Sequence, residues 1–332
     1  MDELELLLST FKGENYEKTL FSLWKHFPYD DRDPDRLAEA HVNFYKRHKF
    51  DLMKVSPHGR YSNVDFGCEI DKEYDPVTGS TRCKNCIIKK LEDWETLEPV
   101  DVTEGEFGKQ LKSLKLIHKE LESLPKMMTI FSPLMVAAKL DPNLEKHIQT
   151  NPETVKEAMY IIHSVMEEFS LAAVEEGANG LFIASQYFRK TSLDWKDVES
   201  FEIYFLDKII KRAGQKASFS VIHIHGLDIA FDKVSTQLTA EAVNWHDQLT
   251  WPNIEEAAEI YKGGLLAGID EKVLLLNERP EEIKSQIQET LNLVEKTDNR
   301  IIISPGCVIP YKIPDEKLDI IGETIRAFNK RW

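Results

Sequence analysis

Two histidines placed two positions apart are the residues whose spacing points most directly to chemistry. His223 and His225 lie in a short, otherwise apolar segment, residues 220–226, which ends at Gly226. Residues two apart on a β-strand point to the same face, so this segment would present both imidazoles side by side. Burying unpaired polar rings costs free energy unless something binds them. A metal ion is the first candidate for that ligand.

The elements that must position these histidines alternate between strand and helix patterns. Helical patterns occur, for example, in residues 152–176, where apolar side chains recur with the 3.6-residue period. Strict alternation predicts a parallel sheet, and eight such units favour a single (β/α)8 TIM barrel of the α/β class over residues 1–332. The predicted strands are residues 19–24, 51–55, 127–131, 180–185, 218–225, 241–245, 264–268 and 300–304.

The region after the second predicted strand departs from this alternation. Residues 56–102 are irregular, with turn residues at Asp75-Pro76 and Thr78-Gly79, and they predict an excursion of loops and a hairpin. The competing architecture, a doubly wound nucleotide-binding sheet, is disfavoured because neither a GxGxxG nor a GxxxxGKS/T motif occurs.

Composition narrows the classes of partner. Lys and Arg number 42 against 57 Asp and Glu, a net charge of −15, which argues against nucleic acid or an anionic membrane as a partner. No apolar run approaches the roughly 18 residues of a transmembrane helix, and the acidic amino terminus differs from a signal peptide, so we expect a cytoplasmic protein. Four cysteines do not make a disulfide framework, which predicts reduced thiols that are buried or ligating.

In a TIM barrel the chemistry lies at the carboxyl ends of the strands. Cys307 follows the last predicted strand and should reach the same mouth as His223 and His225. Two imidazoles and one thiolate suit a catalytic zinc with an open fourth position, which could lower the pKa of a substrate thiol. Further polar or aromatic candidates for substrate or cofactor binding at these ends are Lys25, His26, His58, Arg60, Ser185, Gln186, Tyr187, Trp245, His246 and Asp270.

Structural roles compete with each of these functional assignments. Histidines and a thiol in a barrel can be satisfied by polar neighbours, Trp245 can cap the barrel, and Arg60 can form a loop ion pair. Cys83 and Cys86 have the spacing of half a zinc knuckle, but no second pair follows, so they are interpreted as surface thiols. Cys68, beside Gly67, is interpreted as a packing residue.

Several stretches resemble one known family, the uroporphyrinogen decarboxylase superfamily, which includes cobalamin-linked methyltransferases. Those stretches are residues 50–55, 132–138, 177–178, 223–226, 267–270 and 304–307. The resemblance implies a (β/α)8 barrel. In the thiol methyltransferases of this superfamily, zinc is bound by a His-x-Cys pair on one strand and a Cys after the last. By resemblance His223, His225 and Cys307 occupy these positions, with His225 in place of the usual cysteine.

The marks of true decarboxylases are mostly missing. Those enzymes carry a Met-Arg-Gln-Ala-Gly-Arg segment after the first strand, whereas this chain has Lys25 and His26 in a segment without arginine. Their aspartate after the second strand falls near Pro57, and their late histidine falls at Cys307. A carboxylate-rich tetrapyrrole would therefore meet a site without its main cationic clamps. The chain resembles the zinc-dependent methyltransferase branch more closely.

Three functional hypotheses follow. The favoured one is a zinc-dependent methyltransferase that moves a methyl group between a corrinoid and a thiol or pterin acceptor. The second is uroporphyrinogen decarboxylation in porphyrin biosynthesis, which needs no metal and relies on electrostatic stabilisation. The third is a barrel that binds a ligand without turnover. The methyltransferase hypothesis implies a Zn2+ ion, a small-molecule substrate, and a corrinoid that is either carried by a separate protein or used free. It is also compatible with a homodimer.

Overall fold

The sheet at the centre of the molecule has eight parallel strands. The computed structural model describes residues 1–191, 193–271, 276 and 279–330. The barrel strands are β1 (Leu20–Phe21), β2 (Met53–Val55), β5 (Lys126–Phe131), β6 (Gly180–Ser185), β7 (Phe219–Ile224), β8 (Ala242–Trp245), β9 (Gly264–Ile269) and β10 (Ile301–Pro305), and a separate hairpin contains β3 (Glu69–Ile70) and β4 (Cys83–Asn85). The sheet order β1-β10-β9-β8-β7-β6-β5-β2 follows the chain, as in a barrel.

Hydrogen bonds also connect the two strands at the ends of this order. The Asp51 N–H donates to the Phe21 carbonyl at 2.8 Å, and the Ser22 hydroxyl donates to the Leu52 carbonyl at 2.7 Å. The sheet therefore curls back on itself, which confirms the predicted α/β barrel class. Every residue of β5, β6, β7, β9 and β10 is buried, as expected where a parallel sheet is covered on both faces.

Helices cover the outside of the sheet. Asp33 caps one of them by accepting from the Arg36 N–H at 2.9 Å, with a proline in the first turn. No helix in the described part of the chain is long and apolar enough to cross a membrane. The α-helices are Glu3–Phe11, Pro34–His48, Tyr61–Val64, Gly105–Glu120, Pro133–Leu140, Leu144–Thr150, Pro152–Glu175, Trp195–Val198, Tyr204–Ile209, Phe231–Gln237, Ile254–Ile260, Pro280–Leu291 and Asp315–Asn329.

Some boundaries differ from the sequence prediction. The helix expected over residues 193–213 begins at Trp195 and contains two π-helical segments, Glu199–Ile203 and Ile210–Gly214. The helix expected over residues 279–297 ends at Leu291. The amino-terminal helix was not predicted, and it places Phe11 against Phe219 at the start of β7, with ring centroids 5.5 Å apart. This helix therefore closes the end of the barrel opposite the strand ends that carry the polar residues.

Residues 56–104 contain the short helix Tyr61–Val64, the antiparallel pair β3 and β4, and a 3-10 helix, Leu91–Thr96. Gly79, near the hairpin tip, has a φ of +70° and lies against Tyr311 and Pro28, which belong to loops after β10 and β1. The hairpin therefore borders the mouth of the barrel. Cys83 and Cys86 are joined by a disulfide, which corrects the expectation of reduced thiols at this pair, because the turn holds their Cα atoms 6.1 Å apart.

Candidate metal centre

Four side chains converge at the carboxyl ends of three strands. His223 and His225 come from the end of β7, His246 follows β8, and Cys307 follows β10. One potential ligand atom of each lies within 4.8 Å of those of the other three. The structure thus brings together the three predicted ligands and adds His246, which the sequence had suggested only as a substrate-binding residue.

His223 is held in a defined orientation by β8. Its Nδ1 lies 2.6 Å from the side-chain oxygen of Asn244. The Asn244 amide nitrogen donates to the carbonyls of Leu266 and Pro305 at 2.8 and 3.0 Å, so the Asn244 oxygen must be the group that faces His223. The imidazole is therefore the donor at Nδ1 and keeps a lone pair on Nε2, which is the tautomer that a metal ligand requires.

His246 is held by a buried carboxylate. Its Nδ1 lies 3.0 Å from Oε1 of Glu271, while Oε2 of Glu271 accepts from the Gly306 N–H at 3.2 Å. Glu271 therefore orients both His246 and the backbone just before Cys307. Burial lowers the pKa of His246, but Cys307 and Glu271 raise it more strongly, to about 9. A carboxylate behind a histidine is the usual support of a metal ligand in proteins.

Cys307 has the electrostatics of a thiolate. Its sulfur lies 3.5 Å from Nδ1 of His225, which in turn lies 3.4 Å from Nε2 of His246. Burial raises the pKa of Cys307, but hydrogen bonding to the three imidazoles outweighs it and holds this pKa well below the usual value of a thiol. A thiolate and oriented imidazoles are the donors that zinc prefers, so the residues present fit a zinc ion.

A buried cation lies in the barrel interior near this cluster. Nζ of Lys54, on β2, lies 3.4 Å from the Ser56 hydroxyl and over the rings of Phe182 and Trp24, at 4.8 and 5.9 Å from their centroids. Burial lowers the pKa of Lys54 to about 8, and the charge of Cys307 opposes that shift. Phe182 also stacks on His223 with centroids 5.3 Å apart, so it connects the lysine to the cluster.

The candidates that follow β1 and β2 lie outside the cluster. His26 is close enough for Cys307 and Lys54 to influence it, and burial lowers its pKa to about 4. Lys25 instead pairs with Asp315 at 3.5 Å. Nε of Arg60 donates to the Thr81 carbonyl at 3.0 Å, and Nε2 of His58 lies 3.5 Å from the Thr81 hydroxyl. Arg60 and His58 therefore connect the barrel to the hairpin.

Most of the remaining candidates are engaged in the barrel wall. The Ser185 hydroxyl accepts from the backbone N–H of Tyr187, and both side chains are buried. The Trp245 indole is fully buried, donates to the Pro252 carbonyl at 2.8 Å and packs on Phe231, which fits a packing role. Gln186 is exposed and Asp270, after β9, is half-buried.

Comparison with known proteins identifies the family of this barrel. The family model of uroporphyrinogen decarboxylase (URO-D) matches residues 18–328. A solved methyltransferase from Methanosarcina mazei superimposes with a TM-score of 0.85 at 17% identity, covering 99% of each chain. A B12-independent methionine synthase from Shewanella sp. W3-18-1 gives a TM-score of 0.62 at 13% identity, covering 95% of this chain and 97% of the other. At such identities the likeness concerns the fold. Sequence comparison with curated proteins gives no match.

Proposed function

The chain belongs to the uroporphyrinogen decarboxylase (URO-D) family, and from that premise we propose that it is a zinc-dependent methyltransferase, which moves a methyl group between a corrinoid and a thiol or pterin acceptor. The observation that carries the proposal is the convergence of His223, His225, His246 and Cys307 at the mouth of the barrel. The likeness in fold to the Methanosarcina methyltransferase supports it.

His223, His246 and Cys307 are the residues best prepared to hold the ion. The two imidazoles are fixed by Asn244 and Glu271, and hydrogen bonding to the imidazoles holds the pKa of Cys307 low. His246 retains its Nε2 proton at neutral pH because its pKa is raised, and this proton would be displaced by zinc. His225 has no hydrogen bond to Nε2 from any described residue, so it is the ligand that gives way most easily to an acceptor. A bound zinc ion would lower the pKa of an acceptor thiol and make it a nucleophile at neutral pH.

The surrounding residues stabilise the charge of the acceptor. Lys54 brings a buried positive charge close to Cys307, and the aromatic rings of Trp24 and Phe182 exclude water beside it. An acceptor thiolate bound here would be attracted by Lys54 and less solvated than in bulk water, which increases its reactivity. A methylated corrinoid would supply an electrophilic methyl group, and the residues around Lys54 would hold the acceptor thiolate that receives it.

The rim of the mouth supports a corrinoid-carrying protein as the methyl donor. Leu227, Leu249 and Trp251 lie on the loops after β7 and β8, and their side chains are exposed. The Nζ atom of Lys190, after β6, lies over the Trp251 ring, 5.6 Å from its centroid. Exposed apolar side chains grouped beside a site are typical of protein docking surfaces. A donor protein bound there would face the ligand cluster.

The first experiment measures zinc in protein purified without a polyhistidine tag, beside a His223→Ala, Cys307→Ala double variant. We expect the variant to lose about one zinc per chain relative to the unmodified protein. His163→Ala, which removes a buried histidine on the helix Pro152–Glu175, is the matched control and should keep its zinc. Equal zinc content in the unmodified protein and the double variant would refute the site.

The second experiment tests the reaction. The zinc-loaded protein is mixed with methylcobalamin and a series of thiols or a pterin, and loss of the methyl group is followed by the absorption of the corrinoid. We expect demethylation that depends on Cys307. Absence of demethylation with every acceptor would refute methyl transfer, and turnover of a porphyrinogen by the metal-free protein would establish decarboxylation instead.

A further inference from the structure

The hairpin beside the barrel mouth carries three of the four cysteines of the chain. Cys68 lies just before β3, Cys83 begins β4, and Cys86 follows β4. Antiparallel pairing of Ile70 with Cys83 brings the first cysteine next to the other two. Gly67, immediately before Cys68, has a φ of +104°, a backbone conformation that favours glycine. The three sulfurs lie within 4.8 Å of one another.

We propose that Cys68, Cys83 and Cys86 form a second metal site, which binds zinc when the Cys83–Cys86 disulfide is reduced. Three thiolates in so small a volume repel one another unless a cation lies between them, and zinc is the common cation for such a set. Cys68 is buried, while Cys83 and Cys86 are half-buried. Because no further His, Cys, Asp or Glu joins the cluster within the described ranges, water would fill the fourth position from the solvent side.

The charges near the cluster suit such an ion. A zinc ion with three thiolates carries a net charge of −1, which needs a neighbouring positive group. Arg60 is held beside the hairpin by its bond to the Thr81 carbonyl, and its charge interacts with Cys68. Lys139 donates from Nζ to the Gly59 carbonyl at 3.0 Å and is also near Arg60. Arg60 is therefore a positive group close to the thiolates, whereas burial and the charge of Arg60 hold the pKa of Lys139 well below its usual value.

The disulfide is the oxidised, metal-free form of the same site. A dithiol reductant supplies two electrons and two protons to break the Cys83–Cys86 bond, and becomes a disulfide itself. Zinc then replaces the thiol protons of the three cysteines, which are released to solvent. The bound ion would join the first residue of β4, the turn after it and the residue before β3. It would thereby fix the hairpin, whose tip reaches Tyr311 and Pro28 at the mouth.

The test uses the full chain, freed of metal and reduced with dithiothreitol, and titrates it with Co2+ and then with Zn2+. We expect about two ions per chain in the reduced protein and about one after oxidation, when the disulfide has formed. The Cys83→Ser, Cys86→Ser double variant should bind about one ion even when reduced. Loss of this site should also remove the stronger of two thiolate-to-cobalt absorptions, because this site has three thiolates and the barrel cluster has one.

The His223→Ala, Cys307→Ala variant separates this proposal from the proposed enzymatic function. It should keep the strongly absorbing hairpin site and lose only the barrel ion. If reduced Cys83→Ser, Cys86→Ser protein binds as many ions as the unmodified chain, the hairpin site is refuted while the barrel site is untouched. A measurement without substitutions guards against misfolding: zinc should slow alkylation of Cys83 and Cys86 in the reduced protein, and equal alkylation rates with and without zinc would refute the site.

Discussion

Replacing Glu271 with glutamine tests how the candidate centre keeps its ligands in place. The Glu271 carboxylate accepts two hydrogen bonds, from Nδ1 of His246 at 3.0 Å and from the Gly306 N–H at 3.2 Å. Glutamine has almost the same shape but only one acceptor oxygen. The amide nitrogen of the glutamine would face either the Gly306 N–H or His246. In the first case two hydrogen-bond donors would face each other. In the second case His246 would carry its proton on Nε2, the atom that would have to bind the proposed metal.

The magnitude follows from the burial of the pair. His246 and Glu271 are both almost fully buried, so the lost bond is not replaced by water. Substituting an outer partner of a metal-binding histidine typically costs 10- to 100-fold in metal affinity, or about 1.4 to 2.7 kcal/mol. We expect a weakening of zinc binding in this range for Glu271→Gln, together with a loss of about 1 to 3 kcal/mol in the stability of the metal-free protein, because a buried polar group is left unpaired.

Competition with a chromophoric chelator measures the zinc affinity of each protein. Glu202→Gln is the matched control, because Glu202 is a fully buried carboxylate that does not belong to the ligand cluster. The control should bind zinc as the unmodified protein does. If Glu271→Gln also binds zinc with unchanged affinity while its fold is intact, the orientation of His246 by Glu271 is not needed, and the geometric argument for His246 as a ligand is wrong.

Three further predictions concern the buried carboxyl of Glu202, the packing of Phe169 in the core and the exposed Trp251 beside the barrel mouth. Burial raises the pKa of Glu202 to about 7, so the folded state loses stability as the pH rises from about 4.5 to 7. Glu202→Gln should therefore increase the free energy of unfolding at pH 8 by up to about 3 kcal/mol, seen as a higher Tm, and should leave it unchanged at pH 4. Phe169→Ala removes a ring packed on Tyr61 and Phe107 and should cost about 3 to 5 kcal/mol in denaturant unfolding, whereas a loss below 1 kcal/mol would contradict its core role. Trp251→Asp should raise the KM for a corrinoid-carrying protein and leave the rate with free methylcobalamin unchanged, and an equal effect on both donors would exclude the rim as a docking surface.

The sequence predicts the barrel well because most of its strands and helices have a recognisable pattern within their own residues. Fully buried strands such as β6 and β9 are short apolar runs, and the helix Pro152–Glu175 has a regular apolar face. Both patterns can be recognised without knowing which elements pack against them. The amino-terminal helix was missed although Asp2 and Glu5 form a capping box, a signal that lies in residue spacing. The π-helical turns of residues 199–214 have no such signal.

The centre is harder to predict, because it depends on pairings between strands. The sequence alone identifies His223, His225 and Cys307 as neighbours, since they lie at strand ends that share a mouth. It does not say which nitrogen of each ring faces the centre, and that choice is made by Asn244 and by Glu271, which is distant in sequence. These are tertiary contacts, and no local pattern contains them.

One signal would have extended the prediction to His246. Asn244-Trp245-His246 repeats, one strand later, the polar-x-polar pattern of His223-Ile224-His225. In the parallel pairing of β7 with β8, His223 lies opposite Asn244, and the same register continued by two residues sets His225 opposite His246. Residues at equal spacing on neighbouring parallel strands share a face, so the first pair yields a candidate ligand and its orienting amide, and the second yields two facing imidazoles. The sequence therefore contains the three histidines of the candidate cluster as a two-strand motif, which can be recognised once the register is known, while Cys307 joins them from a third strand.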